Sequence, residues 1–263
     1  MTFIKLHDAS TIHTITRGSG EKKVLFIHGN LANSMWWEST LARLPADFEG
    51  VALDLPGSGT SPETGVRHTM DYFTSLIDEF TDLLGWQQFY LVGHSMGGGI
   101  AQLLAIHRPQ KVLKLVLLNA MAADGFHTIF ENGLWRMEKA MQDKAFLTKA
   151  IRATAPMCRD DALLAELIDS TASASPQVFL EQPVTMHEAN WMARLPEIHC
   201  PTLFLHGELD DFVPKAGSER TAKAIPNCTF KYLKNCGHSP MLEVFDDYFR
   251  EVFTFLQAET LKG

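Results

Sequence analysis

The stretch that decides the fold runs Phe89-Tyr90-Leu91-Val92-Gly93-His94-Ser95-Met96-Gly97-Gly98-Gly99-Ile100. It opens on a compact apolar run, Phe89 to Val92, which reads as a buried strand. From Ile100 to His107 the pattern becomes helical and ends before Pro109. Between strand and helix, Gly93-His94-Ser95-Met96-Gly97 has the form G-x-S-x-G, in the strand–turn–helix setting that its chemistry requires. A serine on so tight a turn is held with its hydroxyl exposed above the sheet edge. The flanking glycines remove side chains that would collide there, and the helix N-terminus favours developing negative charge. Ser95 is therefore the candidate nucleophile.

The same alternation extends in both directions. Val24 to Ile27, Val51 to Leu53 and Val112 to Leu118 are further apolar runs, read as buried strands. Trp36 to Leu44 reads as a helix stopped by Pro45. Phe73, Leu76, Ile77, Phe80, Leu83 and Leu84 recur at helical spacing before a glycine stop at Gly85. Strands that are apolar throughout and separated by helices imply a parallel sheet covered on both faces. After Asn119 the rhythm changes. From about Ala120 to Leu195 no strand-like run occurs, and helices are predicted at Gly133 to Ala150, Asp161 to Ser170 and around Asn190 to Leu195. Alternation then resumes, with strands at Thr202 to His206 and Thr229 to Leu233 and helices at Ala216 to Ala224 and Phe245 to Leu256. The predicted class is α/β, with residues 1–119 and 196–263 as the core and residues 120–195 as an inserted helical cap.

A second motif, Leu25-Phe26-Ile27-His28-Gly29-Asn30, lies at the end of an early strand. Gly29 lets the chain pass close to an acyl oxygen, so the N–H of Asn30 is one candidate oxyanion donor. The N–H of Met96, directly after the nucleophile, is the other. His28 reads as a structural residue hydrogen-bonded within this turn.

His28-Gly29, Asp54-Leu55-Pro56-Gly57-Ser58-Gly59, Gly93-His94-Ser95-Met96-Gly97-Gly98, Gly207-Glu208-Leu209-Asp210 and Gly237-His238, in that order, resemble the α/β-hydrolase superfamily over nearly the whole chain. The resemblance implies an α/β-hydrolase fold, with a mostly parallel eight-stranded sheet flanked by helices and a triad in the order serine, acid, histidine. It places the acid three residues after Gly207 and four before Pro214, at Asp210; Asp211 meets neither spacing. In some members the acid follows the preceding core strand. That loop here begins with Asn119, which cannot serve, and Asp124 lies far along it. The base falls at His238, between the last strand and the last helix, and Cys236 reads as a small buried filler. The implied chemistry is a serine hydrolase that cleaves a carboxylic ester, thioester or lactone through an acyl-enzyme, with no metal or organic cofactor. Haloalkane dehalogenases and epoxide hydrolases resemble the chain around His28-Gly29-Asn30 but use an aspartate where this chain has Ser95. Two alternatives stay open. One is a carbon–carbon bond hydrolase of ring-cleavage dienones, which uses the same triad. The other is a ligand receptor or signalling protein on the same fold that does not turn over.

Composition bounds the partners. The 263 residues carry 23 Lys and Arg against 31 Asp and Glu, a net charge of −8. That balance disfavours nucleic acid and anionic membrane surfaces. No apolar run approaches the ~18 residues of a membrane span, and Met1 to Ser10 lacks the basic region and apolar core of a signal peptide. Cys158, Cys200, Cys228 and Cys236 show no CxxC spacing and read as free thiols in a reducing compartment, so a cytoplasmic protein is expected. Six of the eleven methionines fall between Ala120 and Leu195, which points to an adaptable apolar cavity under the cap. Met35 and Trp36 near the oxyanion loop, His94 beside Ser95, and Met141, Phe179 and Trp191 in the cap are the predicted substrate contacts. Trp37 is read as a packing residue. The expected partner is a small-molecule acyl substrate that is apolar and uncharged.

Overall fold

The computed structural model describes residues 2–7, 10–126 and 130–259, with backbone only at 130–132. Met1, Asp8 and Ala9 of the N-terminal reading and residues 127–129 of the predicted cap lie outside the described residues.

Strands β1 (Thr2–Lys5), β2 (Thr11–Gly18), β3 (Lys22–Ile27), β4 (Phe48–Leu53), β5 (Phe89–His94), β6 (Val112–Leu118), β7 (Thr202–Gly207) and β8 (Cys228–Leu233) form one eight-stranded sheet. Their order is β1-β2-β4-β3-β5-β6-β7-β8. β1 pairs with β2, and β2 with β4, antiparallel; every other neighbouring pair is parallel. In register, Ile27 stands opposite Gly93, Gly93 opposite Leu117, and Leu117 opposite Phe204. The loops carrying Asn30, Ser95, Asn119 and Asp210 therefore leave the sheet at one edge, the carboxyl ends of the parallel strands, where open α/β sheets place their ligands.

On the core side of that edge lie α1 (Glu38–Ala42), α2 (Met70–Leu83) and α3 (Met96–His107). The single helix predicted at Trp36 to Leu44 is two pieces, a 3-10 turn at Ser34–Trp37 followed by α1. The Asn33 side chain accepts from the N–H of Met35 and starts the tight turn. Between β6 and β7 come α4 (Phe130–Gln142), α5 (Lys144–Thr154), α6 (Asp161–Ala172), α7 (Pro176–Leu180) and α8 (Gln182–Glu188), then a 3-10 segment at Met192–Glu197. The helix predicted at Gly133 to Ala150 is broken at Asp143, whose carboxylate accepts from the N–H groups of Ala145 and Phe146 and caps α5. α7 and α8, absent from the sequence reading, each begin with a proline in the first turn. The chain closes with α9 (Lys215–Ala224), α10 (Pro240–Glu243) and α11 (Phe245–Gln257).

Alternate residues of each central strand face opposite layers. Leu25, Ile27, Leu91, Leu115 and Leu117 pack with Phe73, Ile77, Ile100 and Leu104 of α2 and α3. Val24, Phe26, Val92, Val116 and Leu118 pack with Tyr248, Val252 and Leu256 of α11. Leu147, Ile151, Leu167, Val178 and Phe179, from α5, α6 and α7, belong to the same hydrophobic cluster as that second layer. Among the described residues no helix is long and apolar enough to cross a membrane.

Candidate active site

Ser95 sits between β5 and α3 at φ 52° and ψ −120°, a left-handed conformation that a residue with a β-carbon seldom adopts. The turn is held from both sides. The Ser95 N–H donates to the Leu118 carbonyl at 3.0 Å, and the Ser95 carbonyl accepts from Gly98 and Met121, each at 3.0 Å. A β-carbon at Gly93 would lie 2.4 Å from the Gly97 carbonyl oxygen, and one at Gly97 would lie 2.4 Å from the carbonyls of Ile27 and His28. Both positions therefore exclude any other residue.

Asp210 follows β7 and is buried. Its Oδ2 is 2.9 Å from Nδ1 of His238 and also accepts from Nδ2 of Asn119 at 2.6 Å. Its Oδ1 accepts from the N–H groups of Phe212 at 2.8 Å and Val213 at 3.1 Å. Burial alone would raise the Asp210 carboxyl pKa. The facing His238, with the donors just named, outweighs burial and holds the group far below the usual carboxylate range. Asp211 points outward and is exposed.

The loop carrying His238 is fastened on three sides. His94 donates from Nε2 to the His238 carbonyl at 2.8 Å, and the two rings meet at 4.8 Å. Burial, then the neighbouring His238, pushes the His94 pKa down to about 3, so its ring is a neutral buttress. Glu243 accepts from the N–H groups on either side of the histidine, Gly237 at 2.9 Å and Ser239 at 2.7 Å. The same carboxylate accepts from the N–H of Met157 at 3.1 Å, beyond the end of α5. Ser239 adds a hydroxyl bond to the Thr154 carbonyl at 2.8 Å.

Ser95 and His238 line one cavity of about 90 Å³, together with Asn30, Leu31, Trp36, His94, Phe126, Met137, Ala150, Ile151, Thr154, Met186 and Phe212. Among the described residues that line it there is no lysine, arginine, aspartate or glutamate. Asn30 reaches the cavity from the end of β3. Its side-chain Nδ2 is committed elsewhere, to the Val178 carbonyl at 2.9 Å and Gln182 Oε1 at 2.8 Å. Met96 is buried as the first residue of α3, where a helix leaves its N–H groups without intrahelical partners. Among the described residues no cluster of three or more His, Cys, Asp or Glu is arranged to hold a metal ion.

A sequence profile of the alpha/beta hydrolase fold matches residues 22–244. The chain belongs to the α/β-hydrolase fold family. Among its relatives, the pimeloyl-[acyl-carrier protein] methyl ester esterase of Pectobacterium carotovorum subsp. carotovorum (strain PC1) is 25% identical, over 95% of this chain and 100% of that protein. The 2-hydroxy-6-oxononadienedioate/2-hydroxy-6-oxononatrienedioate hydrolase 2 of Pseudomonas putida is 28% identical, over 94% of this chain and 91% of that protein. The solved structure of an esterase from Exiguobacterium antarcticum superimposes with a TM-score of 0.91 at 23% identity, covering 98% of this chain and 99% of that one, which shows the shared fold. This α/β hydrolase is accordingly an enzyme of hydrolase type.

Four predicted substrate contacts stand off the cavity. Phe179 is 1% exposed and packs in the layer with Phe26 and Trp37. Trp191 donates from its indole N–H to Gln102 Oε1 at 3.0 Å and packs toward α2 and α3. Met141 lies one turn beyond Met137 on α4, and Met35 lies beside Trp36; both rest against the core cluster. Trp36 and His94 do line the cavity, and Met137, Met186 and Phe126 supply the apolar wall expected of the others. Sequence reasoning set Asn119 aside as unable to serve as the acid and passed over Glu243. A polar residue directly ending the apolar run Val112 to Leu118 was the signal that Asn119 offered, and the structure buries it fully at φ 43°. Glu243 gave no signal beyond lying five residues after His238.

Proposed function

We propose that this α/β hydrolase cleaves carboxylic esters of small to medium, uncharged, apolar substrates through an acyl-enzyme on Ser95. The observation that supports this reading is the meeting of a strained serine and a carboxylate-backed histidine on one apolar cavity. In the proposed mechanism Ser95 Oγ attacks the acyl carbon while Nε2 of His238 takes its proton. Asp210, kept ionised, fixes the imidazole with its proton on Nδ1 and stabilises the imidazolium. The N–H groups of Asn30 and Met96 receive the oxyanion, a contribution of roughly 3 kcal/mol per donor. His238 then returns the proton to the leaving alcohol, and water, activated the same way, releases the acid. Thioesters and lactones fall under the same chemistry. The helices between β6 and β7 act as a cap in this reading, since α4, α5 and α8 contribute Met137, Ile151 and Met186 to the roof.

The name of the Pseudomonas putida relative carries a dianionic substrate. The described lining, without lysine or arginine, offers such a substrate no counter-charge, which favours the ester reading over the dienone one. The four thiols are unpaired. Burial raises Cys200 to about 11 and Cys228 to about 12, so neither is a ready nucleophile. The test is rapid-mixing release of p-nitrophenol from p-nitrophenyl butyrate. A burst followed by sustained turnover is expected. One equivalent released without turnover would make the protein a receptor, and no release would overturn the assignment of Ser95.

A further inference from the structure

We infer that the active site has a second, apolar chamber that receives the far end of the substrate's alkyl chain, entered between Met137 and Met186. The inference rests on the proposed ester-hydrolase reading. A cavity of about 20 Å³ adjoins the one that holds Ser95. The two share Asn30, Phe126, Met137 and Met186, so these residues form the partition. The chamber's own walls are Gly133, Leu134 and Pro183, from α4 and the first turn of α8.

The parts of the partition differ in how far they can move. Asn30 is fixed through its amide to Val178 and Gln182. The backbones of Phe126 and Met186 are tied to each other, the Phe126 N–H donating to the Met186 carbonyl at 2.9 Å. What remains free to swing is the pair of methionine side chains, unbranched and with three rotatable bonds each. As it stands the chamber has room for about one water- or methyl-sized group. Rotation of Met137 or Met186 joins it to the catalytic cavity and lengthens the site by several methylenes. Among the described residues Asn30 brings the one polar side chain to the wall, and its donor is already used, so the chamber suits an alkyl terminus. Its position beside Asn30 places it within reach of a chain extending from a carbonyl whose oxygen faces the Asn30 N–H.

The test compares kcat/KM across p-nitrophenyl acetate, butyrate, hexanoate and octanoate, and across methyl to hexyl acetates, for the wild-type enzyme and three variants. Met137→Ala and Met186→Ala remove the partition, and Leu134→Trp fills the chamber. Each methylene newly accommodated is worth about fourfold. The opening variants should therefore raise the hexanoate-to-acetate ratio by about tenfold or more, and Leu134→Trp should lower it by a similar factor. The same opposed shifts in the alkyl acetate series instead would support the chamber and assign it to the alcohol side. An active wild type whose variants leave both ratios unmoved overturns the chamber alone. A wild type inactive on every ester overturns the proposed function and the chamber with it.

Discussion

Asn119 stands where a carboxylate could have stood, and its amide instead donates to Asp210 at 2.6 Å. With His238, Phe212 and Val213 it completes the donors around a buried carboxylate, which would otherwise be driven to protonate. Asp210→Asn removes the charge and favours the wrong imidazole tautomer. We expect it to lower kcat by about ten-thousand-fold, as in a comparable triad, whereas Asp211→Asn stays within a few-fold. Equal losses in steady-state assays of the two variants would move the role away from Asp210. Asn119→Ala leaves Oδ2 one donor short, at a cost of about 1.5–3 kcal/mol for a bond to a charged group. Urea unfolding should report that loss, and kcat should fall by roughly tenfold with KM little changed. Unaltered kcat would reduce Asn119 to a packing residue. The serine, acid and histidine were legible because each sits at a fixed offset from a glycine or proline on a strand-ending loop. The side chains that surround them were not, because a hydrogen bond between residues 91 apart in sequence leaves no local pattern.

α10 is a single turn, yet its Glu243 joins Gly237, Ser239 and Met157. One carboxylate thus ties the loop of the proposed base to the start of the α5–α6 connection. Glu243→Ala strands three N–H groups, and we expect a loss of a few kcal/mol, seen as a fall in Tm of about 5–10 °C. The pH–rate profile should keep its shape while kcat drops at least tenfold, and Glu243→Gln should fall between. Wild-type kcat in Glu243→Ala would show that the loop holds itself. β3 to β7 were legible as apolar runs because they are buried, and β8 was read although it is largely exposed. β1 is largely exposed, and β2 buries His13 and Thr14 among its apolar residues, so neither reads as an apolar run. The longer helices were legible and the short α7, α8 and α10 were not, and helix phase was not legible either. The break at Asp143 separates α5 from α4, and which turn of α4 meets the cavity depends on how α4 packs on its neighbours. That is why Met137 lines the site and Met141 does not.

At the scale of the whole molecule, four buried histidines set the response to acid. Burial lowers the pKa of His28 and His68, holds His206 at about 4 and, with His238 nearby, holds His94 at about 3. Each is neutral when folded, whereas in the unfolded chain it takes up a proton near pH 6.5. The unfolded state therefore binds more protons between pH 6.5 and about 4, and stability must fall as pH falls through that window. Each such group contributes up to about 1.4 kcal/mol per pH unit. Glu243 runs the other way, since burial raises its pKa, but it is one group against four. Urea unfolding at pH 7.5, 6.5 and 5.5 should show the decline, and constant stability would mean that these imidazoles are hydrated in the fold. Charge and composition made a compact acidic globular chain legible, but not the burial of particular histidines, because core contacts come from the whole topology. The central claim is that Ser95 is the nucleophile of an ester hydrolase. Its most direct test is steady-state hydrolysis of p-nitrophenyl acetate by the wild-type protein and by Ser95→Ala, with Tm measured on both. We expect turnover to fall by on the order of a million-fold while Tm stays within a few degrees. A folded Ser95→Ala protein that retained more than a few per cent of wild-type turnover would contradict the account.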